Sequence, residues 1–180
     1  PQQIWNEDRT RCIVFEGELS GASPLRSRLE AGGHQFTVGN SAELLLHLWE
    51  EESEKGLLAL NGGFTFAIWN TVDRSLVLGN DRFGFRSVFY ASGSEEGRPY
   101  CAFACGVRGL LADKLLPRQV DLVGMSQALH FEYVMADRTY IKGCKMLPPA
   151  SVLCAADGRS TLHRYWRWRM PEVYPLRSRE

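Results

Sequence analysis

Few residues of this 180-residue chain have both the type and the spacing that chemistry needs. The five cysteines are Cys12, Cys101, Cys105, Cys144 and Cys154, an odd number with no CxxC or Cys/His metal-ligand spacing. Cys101 and Cys105 fall in the apolar run YCAFAC, where both would face the same side of a strand. The cysteines read as free buried thiols, which suits a reduced, cytoplasmic setting. His34, His47, His130 and His163 are scattered along the chain and read as surface or hydrogen-bonded histidines, so neither a metal site nor a Ser-His-Asp set is expected. Ser92-Gly93-Ser94 looks like the start of a phosphate loop, but Glu95-Glu96 follow it and a helix does not. A phosphate cradle needs backbone N–H groups at a helix N-terminus and no adjacent carboxylates. Asp81-Arg82, ahead of Phe83-Gly84, reads as a structural turn pair, and the acidic run Glu50–Glu54 as the solvated end of a helix.

The elements that must position these residues are legible from periodicity. Cys12–Leu19 is β-rich and apolar and predicts a strand. Ser23-Pro24 predicts a helix start with a capping residue and a first-turn proline, running to Ala31 and ended by Gly32-Gly33. Gln35–Val38 predicts a short strand. Ser41 predicts the N-cap of a helix with Leu44, Leu45, Leu48 and Trp49 on one face. Phe64, Phe66 and Ile68 alternate with smaller residues, and Leu76–Leu78 follow a turn, which predicts a hairpin with one buried face. Val88–Tyr90 resumes the strands after the Asp81–Gly84 interruption. Pro99–Ala104 predicts a strand, Val107–Leu115 and Leu122–Phe131 helices, and Ser151–Ala155 with Ser160–Trp166 a late hairpin turning at Asp157-Gly158. Arg169–Glu180 loses pattern and reads as linker or frayed tail. Helices and antiparallel strands mix without a βαβ alternation, so the fold class is α+β.

Length and charge exclude several functions. One domain of ordinary core size is expected at 44% hydrophobic residues. With 21 basic and 21 acidic residues there is no nucleic-acid or membrane surface to expect. No apolar run approaches the ~18–20 residues that span a bilayer. Pro1 in place of a starting Met reads as a piece of a longer protein.

The run from Leu60 to Ala91, LNGGFTFAIWNTVDRSLVLGNDRFGFRSVFYA, resembles the "NG-x-F-A-F-A-I-W-D … DRFG-x-K-P-L-Y-Y" signature of the glutaminase domain of glutamine-hydrolysing asparagine synthases. Trp5–Asp8, Ile13–Leu19, Leu25–Phe36 and Asn40–Glu51 resemble further stretches of that family. Leu147-Pro148-Pro149 with Arg164-Tyr165-Trp166 resembles the "LPPG … YW" that leads toward its synthetase domain. The likeness covers Pro1 to Trp166, a partial glutaminase-like domain with its connector, and leaves 167–180 as linker or tail.

The resemblance implies an N-terminal-nucleophile (Ntn) hydrolase fold, a four-layer αββα sandwich incomplete at its N-terminus, with an exposed sheet edge beside the strands Cys12–Leu19 and Phe64–Trp69. It implies glutamine as the bound substrate and a synthetase domain as partner, with ATP and Mg2+ expected only in that missing domain. In the family the nucleophile is an N-terminal cysteine whose α-amino group is the general base. This chain offers no catalytic residue of that kind: its first cysteine is Cys12, whose nitrogen is a peptide nitrogen. The family's oxyanion triplet Asn-Gly-Glu falls on Glu16-Gly17-Glu18, and its ammonium-binding aspartate on Ser41. Loss of one oxyanion donor typically costs about 10²–10³ in rate, and a carboxylate in its place should cost more. Read from the residues alone, Glu16 is a strand-end surface carboxylate or a remnant of a glutamine site. Gly17 is an oxyanion donor or a bend, and Ser41 an N-cap. The expectation is a chain inactive by itself. It is either part of an asparagine synthase-like amidotransferase or a scaffold that keeps the fold without the nucleophile, as in β-lactam synthetase-like relatives.

Overall fold

The structure, a computed structural model, describes residues 3–114 and 116–170, apart from the side chain of Glu95. Six strands form the larger sheet: β1 (Gln3–Trp5), β2 (Arg11–Ser20), β3 (Asn61–Asn70), β4 (Ser75–Asn80), β8 (Ser151–Ala156) and β9 (Arg159–Arg164), adjacent in that order. The smaller sheet has β6 (Arg98–Ala104), β5 (Phe89–Glu95) and β7 (Lys145–Met146), with β5 central. Every ladder is antiparallel. The helices are α1 (Ser23–Ala31), α2 (Ser41–Glu52), α3 (Val107–Leu110) and α4 (Leu122–Phe131).

Strand alternation sorts the apolar side chains into three layers of core. Phe64, Phe66 and Ile68 of β3, Val77 of β4 and Val152 of β8 meet Leu44, Leu45 and Leu48 of α2. From the opposite faces of the same strands, Ala67, Leu76, Leu78 and Leu153 meet Tyr90 of β5, with Cys101 of β6 beside them. The far face of the small sheet supplies Ala91, with Phe89, Ala102 and Ala104, to a third cluster around Leu110 of α3. Helix, sheet, sheet and helix therefore stack in that order, the expected αββα sandwich.

Several local expectations are corrected. The N-cap of α2 is Asn40, not Ser41: Asn40 Oδ1 accepts from the Glu43 N–H at 3.0 Å. Helix α1 starts with Ser23 already inside and no side-chain cap. Gln35–Val38 is not a strand, because the buried Glu43 carboxylate takes the N–H groups of Thr37, Val38 and Gly39 at 2.6, 2.9 and 2.6 Å. With the Gln35 N–H on Glu7 Oε1, three of the segment's four donors are taken from any ladder. Cys105 lies beyond the end of β6 and is exposed, so it does not share a strand face with Cys101. Helix α3 is a single turn ending at Leu110, short of the predicted span, whose last residue Leu115 lies outside the described residues. Residues 171–180 of the predicted tail also lie outside them, while 167–170 have no regular structure. The histidines are not all scattered: His34 and His47 stack with ring centroids 4.5 Å apart. Glu50 is not solvated, since its carboxylate binds Asn6, Arg11 and His47.

The turn pair after β4 is where the layers are tied. Asp81 is 1% exposed. Its carboxylate accepts four backbone N–H groups, from Phe64 (3.2 Å), Phe83 (2.9 Å), Phe85 (3.2 Å) and Arg86 (3.2 Å). Neighbouring Asn80 accepts from the Ser151 N–H and donates to the Leu147 carbonyl, and Tyr165 Oη donates to its backbone oxygen. Arg82 donates to the Leu58 carbonyl and to Asn61 Oδ1. Asp81→Ala leaves up to four N–H groups without an acceptor, each unsatisfied buried donor costing about 1–3 kcal/mol. Allowing for relaxation, we expect a loss of roughly 3 kcal/mol or more, read as a lower urea midpoint at constant slope. A variant within about 0.5 kcal/mol of the parent refutes the tie.

The expected open edge is only partly where the sequence put it. Strand β3 lies between β2 and β4 and has partners on both sides. Strand β1 covers only Cys12–Val14 of β2, so Phe15–Ser20 has a ladder on one side alone among the described residues. Strand β6 pairs only with β5 among the described residues. Apolar side chains are also exposed on α4, with Leu122 and Leu129 each 79% exposed. Bare edges and apolar surface promote association. The chain alone should elute at a size that grows with concentration in gel filtration. One monomeric peak at low and high concentration is the contrary result.

Candidate functional site

The triplet Glu16-Gly17-Glu18 lies in the second half of β2, opposite Thr65, Phe64 and Gly63 of β3. The two strands come unusually close there. Gly17 has φ +123°, and a Cβ on it would overlap the Gly63 carbonyl oxygen. Gly62 has φ +143°, and a Cβ on it would overlap the Glu18 carbonyl oxygen. Both positions exclude any residue but glycine on steric grounds. Phe15 and Leu19 pack into the core under α1 and α2. Glu16 and Glu18, out of phase with them along the strand, are exposed.

Glu16 meets side chains from the loop after β4 and from the residue just past β6. The Arg86 guanidinium, positioned by the Asp81-centred loop, lies 3.6 Å from Glu16 Oε1. The Cys105 thiol, just past β6, hydrogen-bonds to the Glu16 carboxylate. Desolvation and that carboxylate push the Cys105 thiol up to about 11. A thiol held protonated is a poor nucleophile. Ser41 is brought to the same end of β2: its Oγ accepts from the Leu19 N–H at 3.4 Å. Of the four sequence-derived positions, Glu16, Gly17 and Glu18 are consecutive on β2, and Ser41 meets the strand at Leu19. Arg86 and Cys105 were not singled out by sequence for this site. The only signal for them is that Arg86 follows the Asp81–Gly84 turn and Cys105 ends an apolar run.

Other features stand apart. Ser92-Gly93-Ser94 is extended within β5 and no helix follows it, so no anion cradle forms. It lines a cleft of about 760 Å³ at the opposite end of the sheets, with Trp69, Arg74, Tyr100 and Arg159. All five cysteines are free.

Comparison with known proteins gives one consistent result. The sequence profile of the glutamine amidotransferase domain family matches residues 1–166. The chain is 33% identical over 158 residues to asparagine synthetase [glutamine-hydrolyzing] 3 of Bacillus subtilis (strain 168), covering 87% of this chain and 25% of that protein. It is 28% identical over 167 residues to asparagine synthetase [glutamine-hydrolyzing] 1 of the same organism, covering 92% and 26%. The chain thus spans about a quarter of the length of these relatives. Among solved structures, glutamine phosphoribosylpyrophosphate amidotransferase from B. subtilis superposes with TM-score 0.55 at 19% identity, over 92% of this chain and 31% of that one. An allosteric regulatory enzyme of purine biosynthesis does so with TM-score 0.57 at 15% identity, over the same shares. These two show the fold, which is that of the Ntn-hydrolase glutamine amidotransferases.

The Cys105 environment is directly testable. A thiol at about 11 holds about 100-fold less thiolate near neutral pH than one at the ordinary 9.0. Iodoacetamide labelling followed by peptide mapping should find Cys105 slow despite its exposure, and Glu16→Gln should accelerate it. A rate typical of an open thiol, unchanged in Glu16→Gln, contradicts the assignment.

Proposed function

The chain belongs to the glutamine amidotransferase domain family, and from that premise we propose that it serves an asparagine synthetase-like protein, in which glutamine hydrolysis supplies ammonia to an ATP-dependent amide-forming domain. The observation that carries the finer reading is the Glu16 environment. A carboxylate stands where the family places a neutral donor, and Arg86 and Cys105 occupy it. Negative charge facing a developing oxyanion opposes the transition state that an oxyanion hole stabilises. Ser41 offers a hydroxyl, already engaged with Leu19, in place of an ionic partner for the substrate ammonium. This chain by itself is therefore inactive toward glutamine.

The same residues favour a second reading, in which the domain is a scaffold for the synthetase domain. The aromatic group of exposed Phe83, Phe85 and Trp168 with half-buried Trp166, neighbouring ring centroids 5.4–6.4 Å apart, supports a docking role. ATP and Mg2+ belong to the synthetase domain in either case, and we place the protein in the cytoplasm, in keeping with its free thiols.

Glutamate release from purified chain should be absent, and calorimetry should give no heat with glutamine or with Mg-ATP. The Glu16→Asn/Ser41→Asp variant should gain glutamine binding without turnover. Turnover by the parent that survives repurification and disappears in Cys12→Ala or Cys105→Ala refutes inactivity. Failure of the double variant to bind glutamine removes the site reading and leaves the scaffold reading.

A further inference from the structure

On the outer, helical layer, three segments remote in sequence converge on one cluster of nitrogen and oxygen donors. Glu7 comes from the turn between β1 and β2, His34 from the connection between α1 and α2, and His47 and Glu50 from α2. One donor atom from each lies within 4.8 Å of every other. From this convergence we propose that Glu7, His34, His47 and Glu50 form a binding site for a divalent transition-metal cation, with Zn2+ the best fit.

The distances suit four-coordination. His34 Nδ1 is 3.3 Å from Glu7 Oε1, His47 Nδ1 is 3.6 Å from Glu7 Oε2, and His47 Nδ1 is 3.1 Å from Glu50 Oε2. A tetrahedron with bonds of about 2.1 Å has edges of about 3.4 Å; these three gaps are close to that, and the other separations, all within 4.8 Å, would close on binding. Hydrogen bonds would have similar lengths; an ion differs from them in that one charge serves all four donors at once. Three carboxylates, Glu7, Glu50 and Glu51, surround the two imidazoles, while Arg11 supplies one guanidinium, to Glu50. Both nitrogens of His34 face carboxylates, Nε2 lying 3.0 Å from Glu51. A neutral ring has one N–H and cannot satisfy both. Protonation of the rings or one divalent ion can supply the balancing positive charge, and only an ion places it at the single point where all four donors converge.

The donors are also held as metal ligands are held. Glu50 Oε1 is taken by Asn6 Nδ2 at 2.5 Å and by Arg11 at 3.2 Å, which leaves Oε2 toward His47. Glu7 Oε1 accepts the Gln35 N–H at 3.0 Å. His47 is 1% exposed and its Nε2 has no hydrogen-bond partner among the described residues, so Nδ1 is the atom through which the ring is fixed. Partners behind the ligands that orient them are a feature of metal centres. A cleft of about 470 Å³, lined by Asn6, Glu7, His34 and Glu50 among others, gives the ion a way in from solvent. Imidazole donors favour zinc over magnesium or calcium, and four protein ligands make a closed, structural site rather than a catalytic one. The ion would clip the α1–α2 connection and α2 to the turn at Asp8.

The test uses untagged full chain stripped with chelator and titrated with Zn2+ and, in parallel, Co2+. We expect one Zn2+ per chain, a raised melting temperature reversed by EDTA, and the visible bands of four-coordinate cobalt without thiolate charge-transfer absorption. Glu7→Gln and His34→Gln should abolish the shift while leaving the melting of the stripped protein cooperative. Asn6→Ala, which touches no metal but frees Glu50, should weaken binding about 10–100-fold. The proposal is overturned by an unchanged melting temperature with Zn2+, by equal affinity in both ligand variants and the parent, or by cobalt–thiolate absorption placing the ion on cysteines.

Discussion

One aspartate with four backbone donors on its carboxylate ties β3, the loop after β4 and the start of β8 together. Asp81 sits at the end of β4, where the chain leaves the large sheet for the small one. Its oxygens fix the N–H of Phe64 in β3 and three N–H groups of its own loop. Its backbone oxygen accepts from Gly84 and Ala150, which draws in the Leu147–Pro149 turn. A buried anion is costly unless hydrogen bonds replace its water, and here backbone groups that would otherwise be orphaned by the turn do so. The two requirements cancel each other. Asn80 extends the tie to Ser151, Leu147 and Tyr165. The loop thus fixed carries Arg86 to Glu16 and Phe83 to Trp166. Both the candidate site and the aromatic surface depend on it.

How much of this the sequence shows depends on the range of the interaction. Alternation along Phe64–Ile68 and Leu76–Leu78 fixes which residues face α2 and which face the small sheet, because a strand's period of two is a local property. The helix Leu122–Phe131 is legible to the residue, since Asp121 caps it through Gly124 and the pattern is uninterrupted. The strand expected at Gln35–Val38 fails because Glu43, several residues on, competes for its N–H groups. The misplaced cap at Ser41 has a similar origin. Ser and Asn are equally good caps, and only the geometry of the turn chooses Asn40. Least legible is the His34–His47 pair. Nothing in the spacing of Glu7, His34, His47 and Glu50 announces a cluster, since two turns and a helix must fold before the four meet.

The candidate site illustrates a limit of motif reading. Gly17 invites an interpretation as an oxyanion donor, yet the close approach of β2 and β3 demands glycine at Gly17 and at Gly62 whatever the chemistry. Its retention is explained by packing and carries no weight for catalysis. Glu16 has no such structural excuse. It is exposed, and its side chain meets Arg86 and Cys105 rather than the core. Its engagement by a cation and a protonated thiol makes a stable electrostatic arrangement, and a glutamine in that place would have to displace both. Under the proposed reading, the residues that bear on glutamine are the exposed Glu16 and, at the first turn of α2, Ser41, whose hydroxyl already accepts from the Leu19 N–H.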